Sequence, residues 1–447
     1  MKTFRGDFKE PGGKLVSVVL LGGDHYGPGS GDLSWESRIE GDFFIEGTDE
    51  PDSVLADLAG ILDARVLDER LLEPHRQSDR LERLAADDVH QGDDLRDSLQ
   101  TRMDHWRSQG VLFLGLTAEG ICQACERARQ AAQGITGERS KSRLLKQPER
   151  LRMSAQPGPP EQLGQSGQPR RPKEDVSGVS IGLDPRWLKL PLTVIPPDQA
   201  WDAPHQMALD QALAESVASN RIGPCLRLWE WSENAVVIGL HQSLSGSVHT
   251  KLAQEKGFKV VRRLTGGGSM FIQPGNTITY SLYLPFDFAQ GMTVAQSYRL
   301  CDSWLVEALK SLGLYLFYQG INDLASAKGK IGGVAQRRFR PVDGGPGCIL
   351  HHVTMAYDMD ANLMTQVLKI SQEKSADKAV KSAAKRVDPL KSQTGLSRQE
   401  IMAALRDYLL KRLPQARIGS IGSAEKEKAD ELSRLRYEDP SWTVRIP

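Results

Sequence analysis

Residues 14–21 form a dense, β-prone apolar run, and the Gly- and Pro-rich residues that follow to Gly31 end it. A short apolar run, Phe43-Phe44-Ile45, lies within 41–47. Leu55, Leu58 and Leu62 then share one helical side, with Asp52 and Ser53 placed to cap it. A further helix is expected over 68–85, and Leu116-Thr117-Ala118-Glu119 reads as a helix start with Thr117 as N-cap. The pattern is that of a small α/β unit ending near Gly134 and assigned to residues 1–146. From about Gln147 to Asp175 large apolar side chains almost vanish in favour of Pro, Gly, Gln, Ser and charge. Such a segment cannot recover its ordering entropy by burial, so 147–183 is expected to be a flexible linker.

The pattern resumes at 184–447 as alternating strands and helices. Met207, Leu209, Ala212, Leu213 and Val217 follow helical spacing; strands are expected at 226–231, 235–239, 260–263, 277–283, 314–319 and 351–357. Helices are expected at 294–311, 361–370 and 397–413, with a lysine- and serine-rich stretch at 371–397. The fold class is α+β: a small N-terminal unit and a larger domain around a mixed sheet.

A length of 447 residues suits two domains. The longest apolar run, 15–21, is interrupted by Ser17 and falls far short of the ~20 residues that span a bilayer. No apolar stretch follows Lys2, Arg5 and Lys9, so no signal peptide and a cytoplasmic location are expected. Lys plus Arg and Asp plus Glu balance at 57 each, against a general nucleic-acid binder. Residues 1–100 nevertheless hold 23 acidic and 11 basic side chains, leaving a net charge of +12 on the rest. Two readings of that split stay open: steering of an acidic partner, or two domains with different surfaces. Five cysteines do not look like a disulfide framework. Cys122 and Cys125 fall on one helix and read as packing, since a zinc site needs two further ligands.

Three segments carry candidate chemistry. In the first, a strand through Val261, Arg262 and Arg263 runs by Leu264-Thr265 into Gly266-Gly267-Gly268-Ser269. Three glycines forgo packing and permit close approach of backbone to a ligand, while a guanidinium holds phosphate or carboxylate bidentately; a tight structural turn is the alternative. The second segment is Asn322-Asp323-Leu324 followed by Lys328-Gly329-Lys330, a hairpin turned by 327–329 across which Asp323 and Lys330 can pair. Asp323 is suited to a cation or a ribose and Lys330 to a phosphate, whereas Lys328 reads as a surface lysine. The third is His351-His352-Val353-Thr354. Adjacent strand residues face opposite sides, so the two histidines would not share one metal.

Together these segments resemble the lipoate–protein ligase family, whose fold is shared by biotin–protein ligases and octanoyl transferases. The resemblance rests on Arg262 to Gly268 with Met270-Phe271 and Gly275-Asn276; on Asn322-Asp323-Leu324 with Lys330-Ile331-Gly332-Gly333-Val334-Ala335; and on His351-His352-Val353-Thr354. Trp229, Val236 to Gly239 and Gln242 add to it upstream, Tyr437 and Trp442 downstream. Pro11 to Leu15 and Gly41 to Phe44 resemble the family's accessory domain, here placed first. Ile272 and Val353 depart from the usual histidine and glycine. The Gly-Arg-Gly-Arg segment of biotin ligases is absent.

The resemblance implies activation of lipoate by ATP with Mg²⁺ to lipoyl-AMP, then transfer to a lysine of an acceptor protein. That acceptor is the lipoyl domain of a 2-oxoacid dehydrogenase, the glycine-cleavage carrier or a specialised lipoate-binding protein. It also implies catalytic roles for Lys330 and Asp323, the latter on the metal, and adenylate or phosphate binding by Arg262, Arg263, Gly266, Gly267, Gly268 and Asn322. Met270, Phe271, Ile272, His352 and Thr354 would line the acyl pocket, and the N-terminal domain would dock on the catalytic one. The rivals are an octanoyl or lipoyl transferase working through a cysteine thioester, for which Cys348 is the candidate nucleophile, and a non-catalytic lipoyl-protein-binding member.

Overall fold

The computed structural model describes residues 2–10, 14–22, 35–46, 48, 50–66, 81–132, 183–320, 322–369 and 388–447. In the N-terminal unit, β1 (Lys2–Lys9), β2 (Leu15–Gly22) and β3 (Trp35–Gly41) form an antiparallel sheet in that order, and β4 (Phe44–Glu46) pairs with β5 (Leu112–Leu114). Helices α1 (Pro51–Val66), α2 (Leu81–Ser108) and α3 (Ala118–Ala132) bury Leu58, Leu62, Leu99, Met103 and Ile121 against Val16, Val18 and Leu20. Gly6 in β1 is needed there: a Cβ would stand 2.0 Å from the carbonyl oxygen of Ala124, so strand and helix touch backbone to backbone.

Thr117 caps α3, its Oγ1 accepting from Gly120 N–H at 2.9 Å. Helix α1 begins at Pro51, one residue before the expected caps, because proline's fixed φ suits the first helical position. Of the helix expected at 68–85, residues 68–80 lie outside the described residues, and the observed α2 runs on to Ser108. The expected linker lies outside them too, save Leu183, which packs partly buried on the main core.

The C-terminal half is built on an eight-stranded sheet, in order β12 (Phe317–Gln319), β13 (Asp323–Ser326), β14 (Gly329–Phe339), β15 (Cys348–Ala356), β11 (Thr277–Leu284), β7 (Cys225–Leu228), β6 (Thr193–Ile195) and β16 (Arg417–Ile418). It is antiparallel except where β6 pairs with β7 and β16, which makes it mixed, as expected. Alternate side chains feed two layers. Leu226, Tyr280 and Leu282 pack with α5 (Val294–Ser311) and α6 (Arg398–Arg412). Cys225, Tyr283 and Leu350 pack instead with α4 (Ala203–Ala218), α7 (Ser423–Leu432) and the small sheet β10 (Met270–Ile272), β8 (Ala235–Ile238), β9 (Lys259–Arg262). Among the described residues no helix is long and apolar enough to cross a membrane.

The N-terminal unit lies against this domain. Leu112 and Leu114 reach its main core, Phe43 stacks on His241 with ring centres 5.2 Å apart, and Asp52 pairs with Arg445. Gly41 N–H donates to His241 O at 2.8 Å, and Gly267 N–H to Phe43 O at 3.3 Å.

Candidate active site

Strand β9 delivers the arginine pair to the glycine loop, and the structure gives the two guanidiniums inward duties. Arg262 is fully buried. Its Nη1 donates to the carbonyls of Gly239, Leu240 and Gln242, its Nη2 to those of Thr443 and Ile446, and its Nε to that of Trp442. All five donors of a guanidinium are thereby engaged, and Arg262 faces chain rather than ligand. Burial and the nearby Arg445 push its pKa down to about 9. Arg263 shapes the loop: Nη2 donates to Gly266 O at 2.6 Å and Gly268 O at 2.8 Å, and Nε to Thr265 Oγ1 at 2.8 Å. Gly267 has φ +91°, and a Cβ there would sit 3.0 Å from both Arg263 Nη2 and the Phe44 ring. A Cβ on Gly266 would stand 2.4 Å from Phe43 O. The glycines thus admit the N-terminal unit's backbone and one aromatic ring at van der Waals range.

The loop is tied to the sheet through His352. The Asp210 carboxylate can only accept, so the neutral His352 ring turns its N–H to Asp210, and Nε2 accepts the Thr265 hydroxyl proton at 2.9 Å while Thr265 Oγ1 accepts from Arg263 Nε. The ring proton is then on Nδ1 and is donated to Asp210 Oδ2 at 2.9 Å. Asp210 Oδ1 accepts from Arg227, Ser281 and Tyr283. Burial pushes the Asp210 carboxyl up, but the His352 hydrogen bond and the Arg227 charge outweigh it and hold the acid below its ordinary value. Burial keeps His352 below its own, hence neutral. His351 faces the other side, its Nε2 at 2.6 Å from Asp302 and its Nδ1 at 2.9 Å from Gln336. No group of three His, Cys, Asp or Glu suited to a metal occurs among the described residues.

Across β13 and β14 the hairpin pairs Asp323 with Lys330 at 2.8 Å, the two side chains 34% and 37% exposed. Both stay open to solvent, unlike the arginines. Lys328 is exposed at the turn. Asn322 is buried, donates to Val334 O at 2.6 Å and accepts from Lys14 Nζ at 2.8 Å. Of the expected acyl-pocket residues, Met270 and Thr354 meet, Sδ to Oγ1 at 3.4 Å, and both are half-buried. Phe271 stacks on Phe258, and Ile272 is buried beside Ala235 and Val237 in the layer under α4.

Sequence reasoning had assigned no role to Asp210, Thr265, Phe43 or Lys14. Asp210 had a visible signal, an acid inside the apolar run Met207-Ala208-Leu209 and Ala212-Leu213-Ala214 of a helix buried on nearly every side. All five cysteines are described and none suits a nucleophile. Burial pushes the thiols of Cys122, Cys125 and Cys225 up to about 12, raises that of Cys301, and lifts that of Cys348 well above its ordinary range.

The seam between the two units holds buried polar groups without hydrogen bonds. They include both ring nitrogens of His241, pushed down to about 3 by burial and by Arg445, Arg337 and Arg262, and both oxygens of Glu46. Burial lifts Glu46 from 4.5 to about 7 against the pull of Arg338 and Arg337. A carboxyl raised in this way supports the folded, docked state while protonated. That support is whole below the unfolded value and is lost as pH rises through about 7, a change of roughly 3 kcal/mol. Thermal stability should therefore fall from about pH 4.5 to 7 and level off above that, and Glu46→Gln should remove that fall. Parallel curves of Tm against pH for the two proteins would refute the assignment.

Residues 202–410 match the family of the lipoyl protein ligase A/B catalytic domain. It is 28% identical over 180 residues to the probable lipoate-protein ligase A of Mycoplasma genitalium, covering 40% of this chain and 50% of that protein. It is 26% identical over 269 residues to the octanoyltransferase LipM of Symbiobacterium thermophilum, covering 54% of this chain and 94% of that one. With the lipoate-protein ligase LplJ of Bacillus subtilis it shares 25% over 215 residues, or 47% of this chain and 62% of that one. A solved bi-partite lipoate protein ligase from Thermoplasma acidophilum covers 57% of this chain and 96% of its own, at 24% identity and a TM-score of 0.48. These relatives include both ligases and octanoyltransferases.

Proposed function

We propose that the chain is an ATP-dependent lipoate–protein ligase, forming lipoyl-AMP and passing the lipoyl group to a lysine of a lipoyl-domain acceptor. The observation that carries this reading over the transferase is the state of the thiols. A thioester route needs a thiolate near neutral pH, and burial holds every thiol here protonated. The solvent-open Lys330 and Asp323 pair, by contrast, stands ready for anionic substrates.

In the first step a lipoate carboxylate oxygen bonds to the α-phosphorus and pyrophosphate leaves. In the second, the acceptor amine attacks the acyl carbonyl and AMP leaves. Lys330 would offset charge on phosphate and acyl oxygens. The glycine loop, shaped by Arg263 and the Thr265–His352–Asp210 chain, would border the adenylate under the cover of Phe43 and Phe44. Mg²⁺ sites at nucleotides use one or two carboxylates plus substrate phosphates. Asp323, which pairs with Lys330, would offer one such carboxylate to a metal held chiefly by the triphosphate, and that metal would offset phosphate charge.

The test is pyrophosphate release with lipoate, octanoate and biotin, followed by transfer to a lipoyl domain. Cys348→Ala should keep activity with free lipoate and ATP, within about threefold, because its thiol only packs. A trapped acyl thioester on the wild type, lost together with activity in Cys348→Ala, would make the protein a transferase.

A further inference from the structure

The N-terminal unit brings a cation of its own to the proposed site. Lys14 immediately precedes β2 and is 8% exposed. Its stem lies on Gly115, where a Cβ would come within 2.3 Å of Lys14 Cγ. Its Nζ stands 4.6 Å from the centre of the Phe44 ring and 2.8 Å from Asn322 Oδ1. The amide of Asn322 is fixed from behind by its bond to Val334 O, so the oxygen is aimed at the ammonium. Asp323, the next residue, holds Lys330. Phe44, which Lys14 touches, also abuts Gly266 and Gly267. Ammonium, glycine loop and Lys330 hairpin are therefore linked through two residues, Phe44 and Asn322.

The charge balance of adenylation gives this placement a meaning. Bringing a carboxylate to a triphosphate joins like charges, which the site must offset. Lys14 enters the neighbourhood of the Asp323–Lys330 pair through Asn322 and that of the glycine loop through Phe44. We propose that Lys14, supplied by the N-terminal unit, is a catalytic residue of adenylate formation. Its ammonium binds the oxygens of the attacking carboxylate and the α-phosphate while the new P–O bond forms and the bond to the leaving pyrophosphate breaks. No proton moves in this step. The role rests on the ligase reading, and the experiment separates the two.

Full-length wild type, Lys14→Gln and Lys14→Arg are compared in lipoate-dependent ATP–pyrophosphate exchange and in lipoyl transfer from preformed lipoyl-AMP. Hydrogen exchange of the Gly267 amide, which bonds Phe43 O only when the unit is docked, reports docking. Lys14→Gln keeps a donor for Asn322 but loses the charge. It should lower kcat of exchange by about 100-fold, with Gly267 protection unchanged and transfer within about threefold of wild type; Lys14→Arg should recover most of the loss. Exchange by Lys14→Gln within threefold of wild type would overturn the role. So would a loss that tracks deprotection of Gly267, or an equal loss in both half-reactions. A wild type that shows no exchange with any acyl acid would sink the ligase reading itself, and this role with it.

Discussion

Lys330→Ala is expected to lower adenylate formation and lipoyl transfer by about 100- to 1,000-fold while leaving the fold intact. The side chain is 37% exposed and its one charged partner, Asp323, is 34% exposed, so truncation removes little packing and water can solvate the acid left behind. What is lost is a preorganised cation at the mouth of the hairpin. Lys328→Ala is the control, since that side chain is exposed at the turn two residues away and only its backbone N–H is engaged, with Ser326 Oγ at 3.1 Å. Pyrophosphate exchange and the mass shift of an acceptor lipoyl domain measure the two steps. Matching activities of the two variants would show that the wrong lysine carries the charge.

The second large effect is expected from removing the N-terminal unit. A fragment of residues 184–447 retains both layers of the large sheet and should fold. It loses Phe43 and Phe44 from the glycine loop, Leu112 and Leu114 from the main core and Lys14 from Asn322. With the loop open to water, adenylate formation should fall by at least about 100-fold. Residues 1–146 added as a separate chain should restore it in a concentration-dependent way, because the tether no longer supplies a high effective concentration. Restoration should weaken with salt, since the Asp52–Arg445 pair is partly exposed and its charges are screened within about 10 Å at 0.1 M. A fragment as active as the whole chain would make the unit an acceptor-selecting module instead.

How much of this was legible in the sequence differs from element to element. Helix α5 matches its expected 294–311 span, because Thr293 and Gln296 form a capping box before a clean apolar stripe. Ser397 and Glu400 do the same for α6. The hairpin that pairs Asp323 with Lys330 was readable from its turn. Strands β1 and β3 were not: their charged residues, Arg5, Asp7, Arg38 and Glu40, close a polar network on one face of the sheet, and only the partner strands reveal that they belong together. The two arginines look alike in sequence, yet one faces carbonyls of the chain's last residues and the other those of the glycine loop. Partners 180 residues away in sequence decide that, and local pattern does not contain them. The same holds for Lys14 and Asn322, which meet only once the two units dock.

The two adjacent histidines of β15 also bear on how the sheet finds its pairing. His352 lies opposite Ser281 and Ala335, and His351 opposite Leu282 and Gln336, each ring meeting a buried acid from the helix on its own face. A slip of β15 by one residue exchanges its faces. Slipped one way, His351 comes to Asp210 and Leu350 to Asp302; slipped the other way, His352 comes to Asp302 and Val353 to Asp210. Either error leaves one of the two buried acids without its imidazole partner. The histidine pair is thus a proofreading key for strand register. Asp210 and Asp302 belong to helices on opposite faces, so the key turns only when both layers close on a correctly paired sheet.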